Sequence, residues 1–443
     1  MPSSPTDWPD FPPPGTAGAE EMRLRWADYL DDRGQHDWAE LIRLQLSLAH
    51  LPAGYPPPSE WREREAELNL RLGQQWFHEL ADLLAAPPQF RYGLPDAVAV
   101  EASVFLRRAP ELIAHLPIRR LRLLEPSTVW QKLWDCPWLK EIEELDLCGA
   151  ELTRCDLTPL FRSPFLQSLQ RLDLSFNQLE DTALLSWRCG CSLPHLRCLA
   201  LNDNRLTDRA LSLLADTPCS AHLHELDLAR NDITAAGLNE LVTHPWPELH
   251  QLRLSGNPLG DHGLAVLATS PLLLRIAQRY GILELQGHSQ VRISAAGIEP
   301  LVHSEAAEHL RVLDLGHQHV GDDGLVSLLG SRRWPCLRCL SLPRNRITDR
   351  AIVRLRSLWP HWLAQLCTLD LSGNRLTSFG VGLLSAALPS DKPGAALDIS
   401  GNLHHTLPRH SGSASTDRRS RTAFIPELRL LRRRISHPRH PPS

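Results

Sequence analysis

The 443-residue sequence predicts an α/β solenoid, a horseshoe in which short parallel strands line the concave side and helices the convex side, behind an N-terminal helical cap. Two observations carry this prediction. A motif of the form LxxLxLxxNxL recurs along the chain and is clearest at 366–376, as LCTLDLSGNRL. A helical GLxxL segment, such as residues 236–241, follows each predicted strand. Repetition at this period outweighs the chain length as a guide to the fold.

The polar position near the end of each motif, asparagine in most copies, sets the register of the repeats. Its spacing runs from 26 residues, between Asn231 and Asn257, to 31 residues, between Asn257 and His288. With the helical segments, this period resembles the ribonuclease-inhibitor-like class of leucine-rich repeats over residues 116–403. The resemblance implies the horseshoe. It implies little about activity, because this class includes inhibitors, GTPase activators and immune receptors.

An asparagine amide offers two donors and one acceptor, which suits it to backbone groups where the chain leaves a strand. We therefore expect a structural ladder at Asn177, Asn204, Asn231, Asn257, Asn345, Asn374 and Asn402. Ala150 cannot serve in this column, whereas His288 and Gln318 can serve only in part. The coil of His288 is also the longest, so we expect a bulge at 286–293, with a ligand loop as the alternative.

The middle residue of each LxL faces the concave surface, because side chains alternate along a strand. We predict that this row binds a protein partner, and that the partner is basic, because seven of ten positions are acidic. The row contains Asp146, Asp173, Ala200, Asp227, Arg253, Glu284, Asp314, Ser341, Asp370 and Asp398. In the alternative interpretation LDLS is a habit of the repeat, and Arg171, Arg197, Arg311 and Arg338 neutralise the row. Concave positions also lack the tryptophans and tyrosines that anchor tight interfaces, which favours a weak or internal partner.

Residues 1–18 contain six prolines and few large apolar residues, which predicts a disordered leader. A helical hairpin at 19–51 follows, with Met22, Trp26, Tyr29 and Leu30 on one face. Residues 23–34 (RLRWADYLDDRG) and 40–45 (ELIRLQ) resemble the bacterial repeat-companion domain, a helical module that precedes repeat arrays and implies no known chemistry.

Charged residues of this module, Asp28, Glu40 and Arg43, could form a site, but a salt-bridged helix face is the interpretation that we favour. Residues 52–115 predict a proline linker followed by a helical cap, with a long helix from Ser59 and a strand at 96–102. The cap would cover the leucines of the first coil.

The C-terminal segment 404–443 is basic: from Arg409 onward nine arginines face only Asp417 and Glu427. A short amphipathic helix is predicted around Arg429, Arg432, Arg433 and Arg434. Three interpretations remain open: a solvated tail, a helix that docks within the molecule over the last coil or the acidic row, and a binder of nucleic acid or anionic membrane. Weak aromatic content makes nucleic acid the least favoured partner.

The sequence contains no GxSxG, P-loop, HExxH or paired zinc motif, so we expect no enzyme, cofactor or metal site. Cys336 and Cys339 form an isolated CxxC that we interpret as structural. No apolar run is long enough to cross a bilayer and no secretion signal is evident, which predicts a scaffold in the bacterial cytoplasm. The enzyme-linked alternative is a GTPase activator, with Arg205, Arg344 and Arg346 as nominal arginine candidates.

Overall fold

The computed structural model describes residues 18–51, 58–188, 190–215, 217–331, 333–387 and 396–403. Residues 1–17 of the predicted leader at 1–18 lie outside the described residues, as does the basic tail at 404–443 with Arg429, Arg432, Arg433 and Arg434. None of the helices in these ranges has the length and apolar character that crossing a membrane requires.

The predicted α/β solenoid is confirmed. In the described residues, strands β2 to β8 and β9 to β13 form two runs of parallel neighbours in chain order, and β1 is antiparallel to β2. The strands are β1 Ala86–Arg91, β2 Leu94–Glu101, β3 Arg120–Leu124, β4 Glu144–Asp146, β5 Arg171–Asp173, β6 Cys198–Ala200, β7 Glu225–Asp227, β8 Gln251–Arg253, β9 Ile282–Glu284, β10 Val312–Asp314, β11 Cys339–Ser341, β12 Thr368–Asp370 and β13 Ala396–Asp398.

Helices α1 to α3 precede the first strand and belong to the N-terminal cap, whereas the later helices follow strands of the array and form the convex side. They are α1 Ala19–Asp32, α2 His36–His50, α3 Ser59–Glu79, α4 Ala102–His115, α5 Trp130–Leu133, α6 Thr158–Phe161, α7 Leu185–Arg188, α8 Asp208–Ala215, α9 Ala235–Thr243, α10 Gly260–Ala268, α11 Pro271–Arg279, α12 Ala295–His303, α13 Gly321–Gly330, α14 Asp349–Arg354, α15 Trp359–Gln365 and α16 Ser378–Ala386. Short 3-10 segments lie at Pro126–Val129, Pro137–Glu141, Leu152–Arg154, Asp181–Leu184, Pro218–His222 and Glu305–Glu308.

The core is a continuous column of leucines. The central leucines of successive strands are in register, so Leu145 lies opposite Leu172 and Leu172 opposite Leu199, and all three are buried. Each buried leucine contributes about 2 kcal/mol relative to an exposed one, which drives the coils to stack. Trp246, Trp334 and Trp359 on the convex side are buried as well, and their indole N–H groups donate to backbone carbonyls.

The N-terminal cap contains a β-hairpin, β1–β2, that the sequence analysis did not predict in full. Trp38 of α2 meets Phe90 of β1 and donates a hydrogen bond of 2.6 Å to the carbonyl of Gly93 in the hairpin turn. Gly93 has a positive φ of 78°, and a Cβ there would lie 2.0 Å from Ile42 Cγ1. The tight turn therefore fixes how the helices dock on the first strand.

The four large side chains expected on one face of α1 differ in burial. Leu30 is buried together with Ala19, Arg23 and Ala27, whereas Met22 and Tyr29 are exposed. Alanine allows α1 to approach α2 closely, so the large side chains were a poor guide to the contact face. Trp26 is partly buried against the core and stacks on Tyr29, with ring centroids 4.8 Å apart.

The array is irregular between β8 and β9, where the described sheet is interrupted and the extra helix α11 is inserted. Ser255 bridges the interruption: its hydroxyl donates to the carbonyl of Glu284 at 3.1 Å and accepts from the amide of Gln286 at 3.2 Å. The additional residues of this coil are thus accommodated by a helix as well as by the loop near His288.

A second set of contacts ties the helix starts of successive coils together. An aspartate of one coil accepts hydrogen bonds from both the amide and the hydroxyl of a threonine or serine in the next. We call these pairs the aspartate–hydroxyl ladder: Asp181–Thr207, Asp208–Thr234, Asp261–Ser294, Asp322–Thr348 and Asp349–Thr377.

Candidate functional site

The column asparagines are buried and join adjacent coils. Asn374 is representative: its Oδ1 accepts from the amides of Asn345 at 2.8 Å and Ile347 at 3.0 Å, and its Nδ2 donates to Leu342 and Leu371, both at 2.9 Å. Six further asparagines of this column are buried, and their side chains form hydrogen bonds with backbone groups of adjacent coils: Asn177, Asn204, Asn231, Asn257, Asn345 and Asn402. These residues therefore have a structural role.

Two other members of this column differ. Gln318 substitutes for asparagine, since its Oε1 accepts from the amide of Ile293 at 2.7 Å and its Nε2 donates to Leu285 at 2.7 Å. His288 instead accepts from the amide of Gln290 at 3.3 Å, within its own loop.

The aspartates of the concave row have a local role that the sequence analysis missed. In six of them Oδ1 accepts from the backbone amide two residues later, at 2.8 to 3.0 Å. These residues are Asp146, Asp173, Asp227, Asp314, Asp370 and Asp398. The contact is an Asx turn, which directs the chain out of the strand. Its sequence signal is aspartate followed two residues later by a small residue.

The acidic residues of the concave row differ in their exposure to solvent. Asp314 is only 2% exposed and Asp370 only 7%. The side chain of Asp146 is 41% exposed. Asp173, Asp227, Glu284 and Asp398 are half-buried. The expectation of a carboxylate row that is accessible along the whole face is therefore wrong at Asp314 and Asp370. Neighbouring side chains cover these positions: Gln286 Nε2, for example, donates to Asp314 Oδ2 at 3.0 Å.

Burial raises the pKa of Asp146, Asp227 and Asp370. The negative charge of Asp173 adds to this effect on the pKa of Asp146, while the Arg253 guanidinium opposes it at Asp227. The row thus contains carboxylates that are costly to ionise, and a nearby cation would relieve that cost.

Arginines neutralise part of the negative charge of the concave row, but the pairs they form differ from those expected. Arg253, within the row, lies 3.2 Å from Asp227, and Arg122 lies 3.8 Å from Asp146. Arg171 pairs with Glu225 at 3.1 Å. Arg338 donates to the carbonyls of Pro335 and Leu337.

An aromatic stack lies just before strands β7 to β9. The ring centroids of His224 and His250 are 5.0 Å apart, and those of His250 and Tyr280 are 5.1 Å apart. Burial lowers the pKa of His250 and raises that of Tyr280. These rings lie outside the strand positions, so the alternation of side chains along the strands gave no signal for them.

A cavity of about 500 Å³ opens beside the ends of the last strands. We call it the arginine notch, and its lining residues are Arg344, Arg346, Ser372, Gly373, Arg375, Ser400 and Gly401. Two of the nominal arginines of the sequence analysis, Arg344 and Arg346, meet here. Arg205 lies in a distant coil, where it donates to Gln178 at 2.8 Å. Arg375 was missed, although arginine beside the column asparagine in consecutive repeats was a visible signal.

The charged residues of the N-terminal module are paired. Arg43 contacts Asp28 and Asp31, each at 2.6 Å, and Arg64 contacts Glu40 at 2.7 Å. Among the described residues no group of histidine, cysteine and acidic side chains could hold a metal ion. Cys339 is buried in β11, where its thiol lies 3.7 Å from the Thr368 hydroxyl.

Five segments of the chain match the family described as Leucine Rich repeat: residues 165–186, 192–215, 219–242, 248–268 and 306–329. The chain thus has the leucine-rich repeat fold, which the matched segments and the stacked strand–helix coils define. It is 29% identical over 204 residues to a Tonsoku-like protein of Danio rerio, covering 43% of this chain and 14% of the relative. It is 32% identical over 185 residues to a ribonuclease inhibitor of Sus scrofa, covering 40% of this chain and 39% of the relative.

The matched region thus spans less than half the length of either relative. Among solved structures, the chain is similar to an internalin of Listeria monocytogenes. The two are 21% identical, the match covers 64% of this chain and 67% of the internalin, and the TM-score is 0.40.

Proposed function

We propose that this chain is a non-enzymatic scaffold that binds a basic protein partner on the concave face between β4 and β8. One observation carries the proposal: Asp146, Asp173 and Asp227 are partly accessible there and are held in fixed directions. Each carboxylate is anchored through Oδ1 by an amide of its own turn. Binding therefore costs little side-chain entropy at these positions. Parallel strands place neighbouring row positions about 4.8 Å apart, close enough for one partner to contact several.

The charge balance supports a basic partner. The described carboxylates carry a desolvation cost that raises the pKa of Asp146 and Asp227, and a partner cation would offset it. The fold agrees with this role, because leucine-rich repeat proteins often mediate protein–protein interactions. The pig relative is named an inhibitor of a ribonuclease. The bacterial repeat-companion resemblance and a cytoplasmic location remain predictions.

The test is a triple variant, Asp146→Asn, Asp173→Asn and Asp227→Asn. Asparagine retains the Oδ1 acceptor of the Asx turn and removes only the charge, so the fold should persist. Isothermal titration with a lysine-rich peptide should show binding by the parent protein and at least about tenfold weaker binding by the variant. Affinity purification with both proteins as bait then identifies partners whose capture depends on the row.

The matched control is Glu240→Gln, Glu248→Gln and Glu305→Gln, which removes three exposed charges from other surfaces. It should bind the peptide as the parent protein does. Equal losses in the two variants would show that only net charge matters, and unchanged binding by the aspartate variant would end the proposal.

A GTPase activator is the second candidate, because Arg344 and Arg346 are exposed in one cavity. An arginine that reaches a transferring phosphate accelerates hydrolysis by about a thousandfold or more. GTP hydrolysis by a panel of small GTPases tests this candidate, and rates that do not change on adding the protein remove it.

The predicted nucleic-acid role of the basic tail concerns residues outside the described ranges. Deletion of 404–443 tests it together with the docking alternative. Loss of DNA or RNA retention, with steep salt dependence in the full chain, would support nucleic-acid binding. Stronger binding of the lysine-rich peptide after deletion would support docking of the tail on the acidic row.

A further inference from the structure

The arginine notch differs from the other arginine clusters of the described chain in its pairing. Many other arginines of the described residues meet carboxylates: Arg71 lies 2.7 Å from Asp37, and Arg354 contacts Asp323 at 2.5 Å. In contrast, Arg344, Arg346 and Arg375 form no ion pair with any described residue, although all three are exposed. Three positive charges around one cavity repel each other, and an anion that enters the cavity would offset this repulsion.

The backbone of the notch is rigid. Arg344 and Arg346 flank Asn345, which is fully buried and bonded to the adjacent coils. The amide of Arg344 donates to Ser372 at 2.9 Å, and the amide of Arg375 donates to Ile347 at 2.8 Å. The three arginines therefore project from fixed positions, and only their side chains must be ordered on binding.

Glycine opens the floor of the notch. Gly373 and Gly401 have φ values of 64° and 68°, in the left-handed region. A Cβ on Gly373 would lie 2.8 Å from Arg344 Cγ, so the arginine stem lies directly over this glycine. The hydroxyl residues Ser372 and Ser400 complete the lining. Guanidinium and hydroxyl groups together are donors suited to carboxylate or phosphate oxygens.

The positive field extends to the preceding coil. Burial lowers the pKa of His317 and His319, and the charges of Arg344 and Arg346, respectively, lower it further, together with Arg292. The Arg292 guanidinium donates to the carbonyl of His317. The notch is thus the end of a cationic rim.

We propose that the arginine notch binds an acidic segment of a protein partner, through its carboxylates or through a phosphorylated side chain. Arginine forks suit both groups because each presents two oxygens for paired hydrogen bonds. A cavity of about 500 Å³ accommodates side chains of a peptide. Single-stranded nucleic acid is disfavoured, because its bases need aromatic platforms and the residues that line the notch include none. This site is independent of the proposed concave-face function.

The test is a triple variant of the full chain, Arg344→Gln, Arg346→Gln and Arg375→Gln. Glutamine retains part of the aliphatic stem and removes the charge. The matched control, Arg209→Gln, Arg350→Gln and Arg356→Gln, removes three exposed charges from the convex side. Fluorescence anisotropy is measured with a labelled glutamate-rich peptide, a phosphoserine peptide of the same frame, its glutamine counterpart and a single-stranded oligonucleotide.

We expect the parent protein and the control to bind the glutamate or the phosphoserine peptide, and the notch variant to bind at least about tenfold more weakly. The stronger of the two peptides identifies the anionic group. The variant with Asp146→Asn, Asp173→Asn and Asp227→Asn should retain this binding, which separates the two sites. Equal weakening by the control, no binding of either acidic peptide, or notch-dependent preference for the oligonucleotide would each overturn the proposal.

Discussion

Asp349 of one coil holds Thr377 of the next: the Thr377 amide donates to Asp349 Oδ1 at 2.9 Å and the Thr377 hydroxyl to Oδ2 at 2.5 Å. The same hydroxyl accepts from the amide of Phe379 at 3.2 Å and so caps helix α16. One side chain thus begins its own helix and attaches it to the preceding coil. The pair is the last step of the aspartate–hydroxyl ladder.

Replacing Asp349 should therefore loosen two coils at once. Asp349→Ala removes both acceptors and should lower the free energy of unfolding by about 1–3 kcal/mol, whereas Asp349→Asn, which keeps one acceptor, should cost less. Denaturant unfolding followed by circular dichroism gives both values. Asp323→Ala is the control, because Asp323 is exposed and makes only a surface ion pair with Arg354. A cost at Asp349 no larger than at Asp323 would contradict a role in joining coils.

The asparagine column should show a larger effect. Asn374→Ala would leave two buried amides and two buried carbonyls without their side-chain partner, so we expect a loss of about 3 kcal/mol or more. His288→Ala in the same column should change stability little, since its described contact lies within its own loop. Thermal unfolding midpoints of the two variants test this prediction. An equal loss of stability in both would disprove the distinction between the two positions.

Two glycines should respond to alanine in opposite directions. A Cβ on Gly287 would lie 1.9 Å from the carbonyl oxygen of His317, a backbone atom that can move only with its coil. We expect Gly287→Ala to cost about 1–3 kcal/mol. Gly382 lies in helix α16 with open space around the Cβ position, so Gly382→Ala should stabilise the protein by up to about 1 kcal/mol. Chemical denaturation measures both, and stabilisation by Gly287→Ala would refute the predicted close approach.

The fold followed from the sequence because leucine spacing alone determines which side chains enter the core. The candidate site followed only in part. Strand alternation placed Asp314 and Asp370 in the concave row, but it carried no information about the neighbouring side chains that cover them. The arginine notch depends on the register between coils, which brings Arg375 beside Arg344 and Arg346 across 29 and 31 residues of sequence. Packing of small residues, as in α1, likewise left no apolar pattern to find.

The buried aspartate Asp370 should make stability depend on pH in a defined direction. Burial raises its pKa, so the folded protein binds its proton more tightly than the unfolded chain does. Its contribution to stability is present below the unfolded pKa of about 3.9 and is lost as pH rises through the folded pKa. Asp370→Asn keeps the Oδ1 acceptor for Ser372 and has no charge to bury. The variant should therefore gain stability relative to the parent as pH rises from acidic to neutral. Asp82→Asn should show the opposite trend, because Arg108 lowers the pKa of Asp82. Free energies of unfolding across this pH range would contradict the assignment if Asp370→Asn lost stability relative to the parent with rising pH.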